Sequence, residues 1–291
     1  MVYNIYRKLV MKLLYYYFLN DVIKNIEPKY QKIINQALDK TYLYANFQEV
    51  LSYYNLLSIN KNHNYQIYER VKNTKGQEAL DFLKKETINH QYNENYLLFL
   101  IAFISNKILN NYLNGFLTLT KKKDLHLKYL ELYIYQKKTN NKTYKKFNQV
   151  KFFEKSLTLT DTDKEIVKEL LAKVYFFSYG IKHFELSLKK YKNLKQQYQK
   201  DFLGIKGLYL SILAKIKHDN KIKYLIKNPK NNNYLLNEQK NHWKYLDTLD
   251  KTLTFDELYQ EALDTSIKLI NQICDEIFYN KMIKKGLANF F

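Results

Sequence analysis

The chain has one cysteine, two prolines, six glycines and one tryptophan among 291 residues. Each scarcity excludes something. A lone Cys274 rules out a disulfide framework and any zinc centre built from several cysteines. So few glycines and prolines leave little material for tight turns, which argues against a many-stranded β-fold. No glycine-rich phosphate loop, G-x-S-x-G elbow, H-E-x-x-H or C-x-x-C occurs, and Gly204-Ile205-Lys206-Gly207 is too short and isolated to stand for one. Arginine is nearly missing, with Arg7 and Arg70 alone. Base readers and phosphate clamps rely on its bidentate fork, so specific nucleic-acid recognition is disfavoured.

What is present is apolar bulk and lysine. A 46% apolar, 16% aromatic composition buries a core and is the opposite of a disordered chain. Basic residues number 48 against 28 acidic, a formal charge of +20. Lysine, asparagine, isoleucine and tyrosine are all heavily used and all have AT-rich codons, so much of the bias belongs to the genome. A lysine coat still attracts polyanions without specificity. At the amino terminus, Arg7 and Lys8 precede an apolar stretch, but Lys12 interrupts it and no small-residue cleavage site follows Leu19. Leu9, Leu13, Tyr16 and Tyr17 instead share one helical face. The longest apolar run, Tyr96 to Ile104, has about half of the roughly 20 residues a spanning helix needs. It reads as a buried central helix, and the chain as cytoplasmic.

The fold expected is all-α, a single multi-helix domain over residues 1–291 with about nine helices and no strand ladder. Helices are predicted at about 3–26, ending before Pro28, and at about 29–41. A broken, asparagine-rich stretch covers 45–73. Further helices are predicted at about 74–85, 93–111 and 124–137. Thr160, Asp161 or Thr162 caps a helix through KEIVKELLAKVYFFSYG that Gly180 closes. Two more follow at about 181–201 and 205–217. Thr254 and Glu257 form a T-x-x-E capping box that opens a last helix, to about Tyr279.

The six histidines, at 63, 90, 126, 183, 218 and 242, never pair at the i, i+3 or i+4 spacing that aims two imidazoles at one metal. Several segments in order nevertheless resemble the bacterial zinc-dependent phospholipase C family, an all-α fold. The clearest lies near the carboxyl terminus, where Asn237, Trp243, Thr254, Phe255, Glu257 and Leu258 match the family's asparagine–histidine–tryptophan segment and following helix start. NTKGQEALDFLKKE is similar to the helix after a ligand histidine. LLFLIAFISNKILNNYL resembles the central helix with an H-x-x-x-D ligand pair, HLKYLELYI the segment with H-x-x-x-E, and NIYRKLV the amino-terminal segment.

The resemblance implies a metal cage, and the chain departs from it at the ligands. Asn106 and Asn110 stand at the H-x-x-x-D positions, and neutral amides are poor zinc ligands. Leu127 replaces the histidine of H-x-x-x-E, leaving Glu131 as a vestigial ligand. His126 is one position away, about 100° around the helix. Lys72 stands for the histidine before the NTKGQEAL helix, and Arg7 or Lys8 for the amino-terminal one. The aspartate loop has no acid counterpart in SYYNLLSINKN. Cations in the old cage repel a divalent metal, and without metal there is no activated water. The expectation is a non-catalytic scaffold with no cofactor. Its former cleft, near Lys72, Asn106, Asn110 and Leu127, would hold a phosphate-bearing ligand or the head group of an anionic membrane. Two alternatives stand beside it. One is an active zinc phosphodiesterase with a rearranged site of Glu131 plus His126, His63 or His90. The other is a lysine-rich nucleic-acid-associated protein using KKYKNLKQQYQK and KIKHDNKIKYLIKNPK.

Overall fold

Pro28 divides the first two helices. Helix α1 (Leu13–Asn25) buries Leu14, Phe18 and Val22 along one face, and α2 (Pro28–Ile34) opens on the proline itself, where the missing N–H has no helical partner to lose. The computed structural model describes residues 13–51, 71, 76–121, 123–140, 153–199, 236–246 and 249–288. The predicted segment before residue 13, that at 205–217, and the basic run 215–230 lie outside these residues. The single helix expected over 29–41 divides: a tighter 3₁₀ turn, Asn35–Lys40, separates α2 from α3 (Thr41–Ala45) and the short α4 (Phe47–Leu51). Helix α5 (Gly76–Asn89) follows.

Helix α6 (Glu94–Phe116) is the central element. Asn93 caps it by accepting from the Asn95 N–H at 2.9 Å. Every residue from Tyr96 to Asn106 is buried, as the apolar run implied, because α1, α3, α5 and the last helix all pack around it. The helix is longer than expected. With the following 3₁₀ turn it is long and apolar enough to cross a membrane, yet it lies mostly buried inside the protein.

Helix α7 (Lys123–Thr139) packs on α1, and α8 (Asp161–Glu169) opens with a reciprocal capping box. In that box Asp163 N–H donates to Thr160 Oγ1 at 3.2 Å, and Thr160 N–H to Asp163 Oδ2 at 2.7 Å. Gly180 does not close this helix. The chain leaves α8 through a π turn, Leu170–Val174, and Gly180 begins α9 (Gly180–Gln199). The one strand pairing among the described residues is a short antiparallel hairpin, β1 (Trp243–Tyr245) with β2 (Leu249–Lys251), which lies across the end of α6. Gly115 makes that approach possible, since a Cβ there would stand 1.9 Å from the Lys244 carbonyl oxygen. The described chain is otherwise mostly helical, ending in α10 (Phe255–Ala288).

The residues of the carboxyl-terminal resemblance have structural work here. Asn237, buried at a positive φ of 55°, donates from Nδ2 to the carbonyls of Asn241 and Leu253, both at 3.0 Å. Trp243 Nε1 also donates to Leu253 O, at 3.3 Å. Thr254 N–H donates to Glu257 Oε2 at 2.8 Å and Glu257 N–H to Thr254 Oγ1 at 3.3 Å, the capping box the sequence implied. Phe255 and Leu258 are fully buried.

One buried ion pair ties the early helices to α8. Lys40 Nζ lies 2.8 Å from Asp163 Oδ2, with side-chain exposures of 6% and 0%. Lys40 also donates to Thr158 O at 2.5 Å, and the Tyr44 hydroxyl donates to Asp163 Oδ1. Burial, then the Asp163 charge, pushes the Tyr44 pKa up.

Two predictions follow from these contacts. Asp163→Ala leaves the Lys40 ammonium buried without its counter-ion, and should destabilise the protein by about 3–5 kcal/mol in urea denaturation; a loss below about 1 kcal/mol would refute the pair's role. Glu257 is held down to about 2 from 4.5 by Lys240 and the Thr254 N–H. A depressed carboxylate contributes stability above its unfolded value and loses it as pH falls through its folded one. The difference in unfolding free energy between wild type and Glu257→Gln should therefore be flat above about pH 5 and shrink steadily toward pH 2. A difference independent of pH across that window would contradict this.

Candidate functional site

The positions singled out by the resemblance are filled with internal contacts. Asn106 and Asn110 lie one turn apart on α6. Asn106 is 8% exposed, and its Nδ2 donates 2.7 Å to Ala45 O in α3. Its Oδ1 is buried with no hydrogen-bond partner among the described residues. Asn110 Oδ1 accepts from the Tyr15 hydroxyl of α1. The two amides stitch α6 to its neighbours. Leu127 is half-buried and packs on the core. Lys72, Arg7, Lys8 and His63 lie outside the described residues.

Glu131 is buried on α7. Burial lowers the pKa of Lys128, one turn away, and the Glu131 charge opposes that shift. Burial raises Tyr191, whose hydroxyl is 2.8 Å from that of Tyr42, and Glu131 adds to the rise. His126 is 1% exposed; its ring lies 5.3 Å from that of Phe116, and its Nδ1 is 3.5 Å from Thr120 Oγ1. Five residues separate His126 from Glu131, about 140° around a helix, so the two do not share a face. These donors fit the zinc cage that the resemblance implies poorly: both amides are neutral and so weak zinc ligands, and the Oδ1 of Asn110 is taken by the Tyr15 hydroxyl.

Among the described residues, one group of metal-ligating side chains converges, and it is elsewhere: Glu86, His90 and Glu169. Glu86 and His90 lie four residues apart at the end of α5, which puts both on one face. Glu169 arrives from the end of α8. His90 Nε2 is 3.5 Å from Glu86 Oε2 and 3.8 Å from Glu169 Oε2. Lys173, on the π turn, faces the opposite oxygens, at 3.6 Å from Glu86 Oε1 and 3.3 Å from Glu169 Oε1. The His90 ring stacks on Tyr96 at 4.1 Å and 12°, which fixes the imidazole plane. The Tyr96 hydroxyl is 3.5 Å from Glu169 Oε2, and burial, then the Glu169 charge, pushes its pKa up. Gln91 and Tyr92, directly after His90, both adopt positive φ, 54° and 63°, to turn the chain into α6.

A search for paired histidines misses this group, because it holds one imidazole. The legible half is Glu86-x-x-x-His90, a carboxylate and an imidazole at i, i+4. Glu169 carries no local signal of its destination. No family model, no curated protein and no solved structure matches the chain.

The two amides of α6 should answer differently to the same change. Asn110→Asp keeps an acceptor for the Tyr15 hydroxyl and should shift stability by less than about 1 kcal/mol. Asn106→Asp sets a carboxylate against the Ala45 carbonyl and should cost about 3 kcal/mol. Urea midpoints measure both, and equal costs would mean that the amide of Asn106 has no special role.

Proposed function

We propose that the chain is a non-catalytic, cytoplasmic all-α scaffold of the phospholipase C type that docks on anionic membrane surface. The observation that supports it most is the use of Asn106 and Asn110. At the positions where the resemblance puts metal ligands stand neutral amides, which are weak zinc ligands, and they hold α6 to α3 through Asn106 Nδ2 and to α1 through Asn110 Oδ1. The formal charge of +20 supplies the attraction, at about 1 kcal/mol per basic residue close to an anionic leaflet. Lysine acts there as a point charge that needs no defined pocket. A phosphate-bearing small molecule would be held by the same charge.

The experiment is co-sedimentation with phosphatidylserine-containing and neutral vesicles at low and high salt. The expected result is binding to the anionic vesicles alone, released by salt, with no phosphodiester turnover under added zinc. Indifference to anionic vesicles at low salt overturns the docking reading. Turnover abolished by chelators and by Glu131→Gln overturns the non-catalytic one. Stronger retention on nucleic acid than on lipid moves the partner to polynucleotide.

A further inference from the structure

We propose that Glu86, His90 and Glu169 form a binding site for one divalent cation of the zinc class, separate from the positions of the phospholipase C resemblance. Spacing carries the argument. A charge-assisted hydrogen bond between nitrogen and a carboxylate closes to about 2.7–2.9 Å. Neither contact of His90 does so, at 3.5 and 3.8 Å. Zinc bound at about 2.0–2.2 Å in a tetrahedron sets its donors about 3.3–3.6 Å apart along each edge. His90 Nε2 stands at that spacing from Glu86 Oε2, at 3.5 Å, and slightly beyond it from Glu169 Oε2, at 3.8 Å, and one donor atom from each of the three residues lies within 4.8 Å of the others.

The surrounding groups suit a metal more than a salt bridge. The Glu86 side chain is 8% exposed and that of Glu169 22%, so two partly buried carboxylates stand together, with Lys173 the one lysine paired to them among the described residues. Lys173 does not occupy the ligand position. It bridges the Oε1 atoms from the outer side, at 54% exposure, and leaves both Oε2 atoms facing the imidazole. A neutral imidazole and two carboxylates are a donor set zinc accepts, and three protein ligands leave a fourth position for water. Lys173 then orients the outer oxygens and opposes the cation electrostatically.

The test is zinc titration of the metal-stripped full chain by calorimetry, with cobalt absorption as a second readout. One equivalent should bind, and cobalt should develop the visible bands of a tetrahedral site. His90→Ala should weaken zinc at least tenfold and abolish the bands, and Glu169→Gln should do the same with less change in packing. Lys173→Met removes the opposing charge and should tighten zinc several-fold, an effect that neither unfolding nor loss of a ligand produces. Circular dichroism checks that each variant is helical. The proposal is overturned if wild type binds no zinc, or if His90→Ala and Glu169→Gln bind it as wild type does. Lipid docking is independent of this site, so failure of either reading leaves the other standing.

Discussion

Asp163 is the residue on which the arrangement of the described helices most depends. Its two oxygens take the Lys40 ammonium, the Thr160 N–H and the Tyr44 hydroxyl, so one fully buried carboxylate joins the 3₁₀ turn, α3 and the start of α8. A buried ion pair seldom adds net stability over an apolar substitute, because both charges leave water. What it adds is direction. Apolar faces can slide against one another, whereas three charge-assisted bonds on one carboxylate fit a single arrangement.

Around this pin the packing is dictated by α6. Its first half, buried without a break from Tyr96 to Asn106, is apolar on all sides and must be covered on all sides. Here α1, α3, α5, α10 and the hairpin do the covering, and three polar side chains on α6 each meet a neighbouring element: Asn106 the Ala45 carbonyl, Asn110 the Tyr15 hydroxyl, Tyr112 the Glu261 carboxylate. Such contacts give an otherwise featureless apolar rod a register.

What could be read beforehand was local. The mostly helical character, the capping box at Thr254 and Glu257, and the buried run from Tyr96 each depend on residues a few positions apart, where spacing alone decides geometry. Gly180 reads as a helix end because glycine past a helix usually closes it, and nothing in LLAKV announces a π turn. The hairpin escaped notice because its three-residue strands carry no alternating pattern long enough to see. Asn106 and Asn110 were legible as amides, but not as interhelical ties. Their partners, Ala45 and Tyr15, are 61 and 95 residues distant. The site of Glu86 and His90 depends in the same way on Glu169.

Helix α8 links the pin to that site. Asp163 sits in its first turn, where a carboxylate caps free N–H groups and meets the positive end of the helix dipole. Glu169 ends the same helix six residues later, about 9 Å along the axis. There the dipole is unfavourable to an anion, so helix stability does not account for it. What accompanies Glu169 is Lys173, Tyr96 and His90, from three different turns, with Glu86 behind them. Fixing Asp163 therefore helps to fix where the far end of α8 lies. The contrast between the two carboxylates is in their distances: Asp163 is closed by bonds of 2.7–2.8 Å, while the groups around Glu169 stand 3.3–3.8 Å from it. The first is a closed joint, and it is the wider spacing of the second on which the proposed cation site rests.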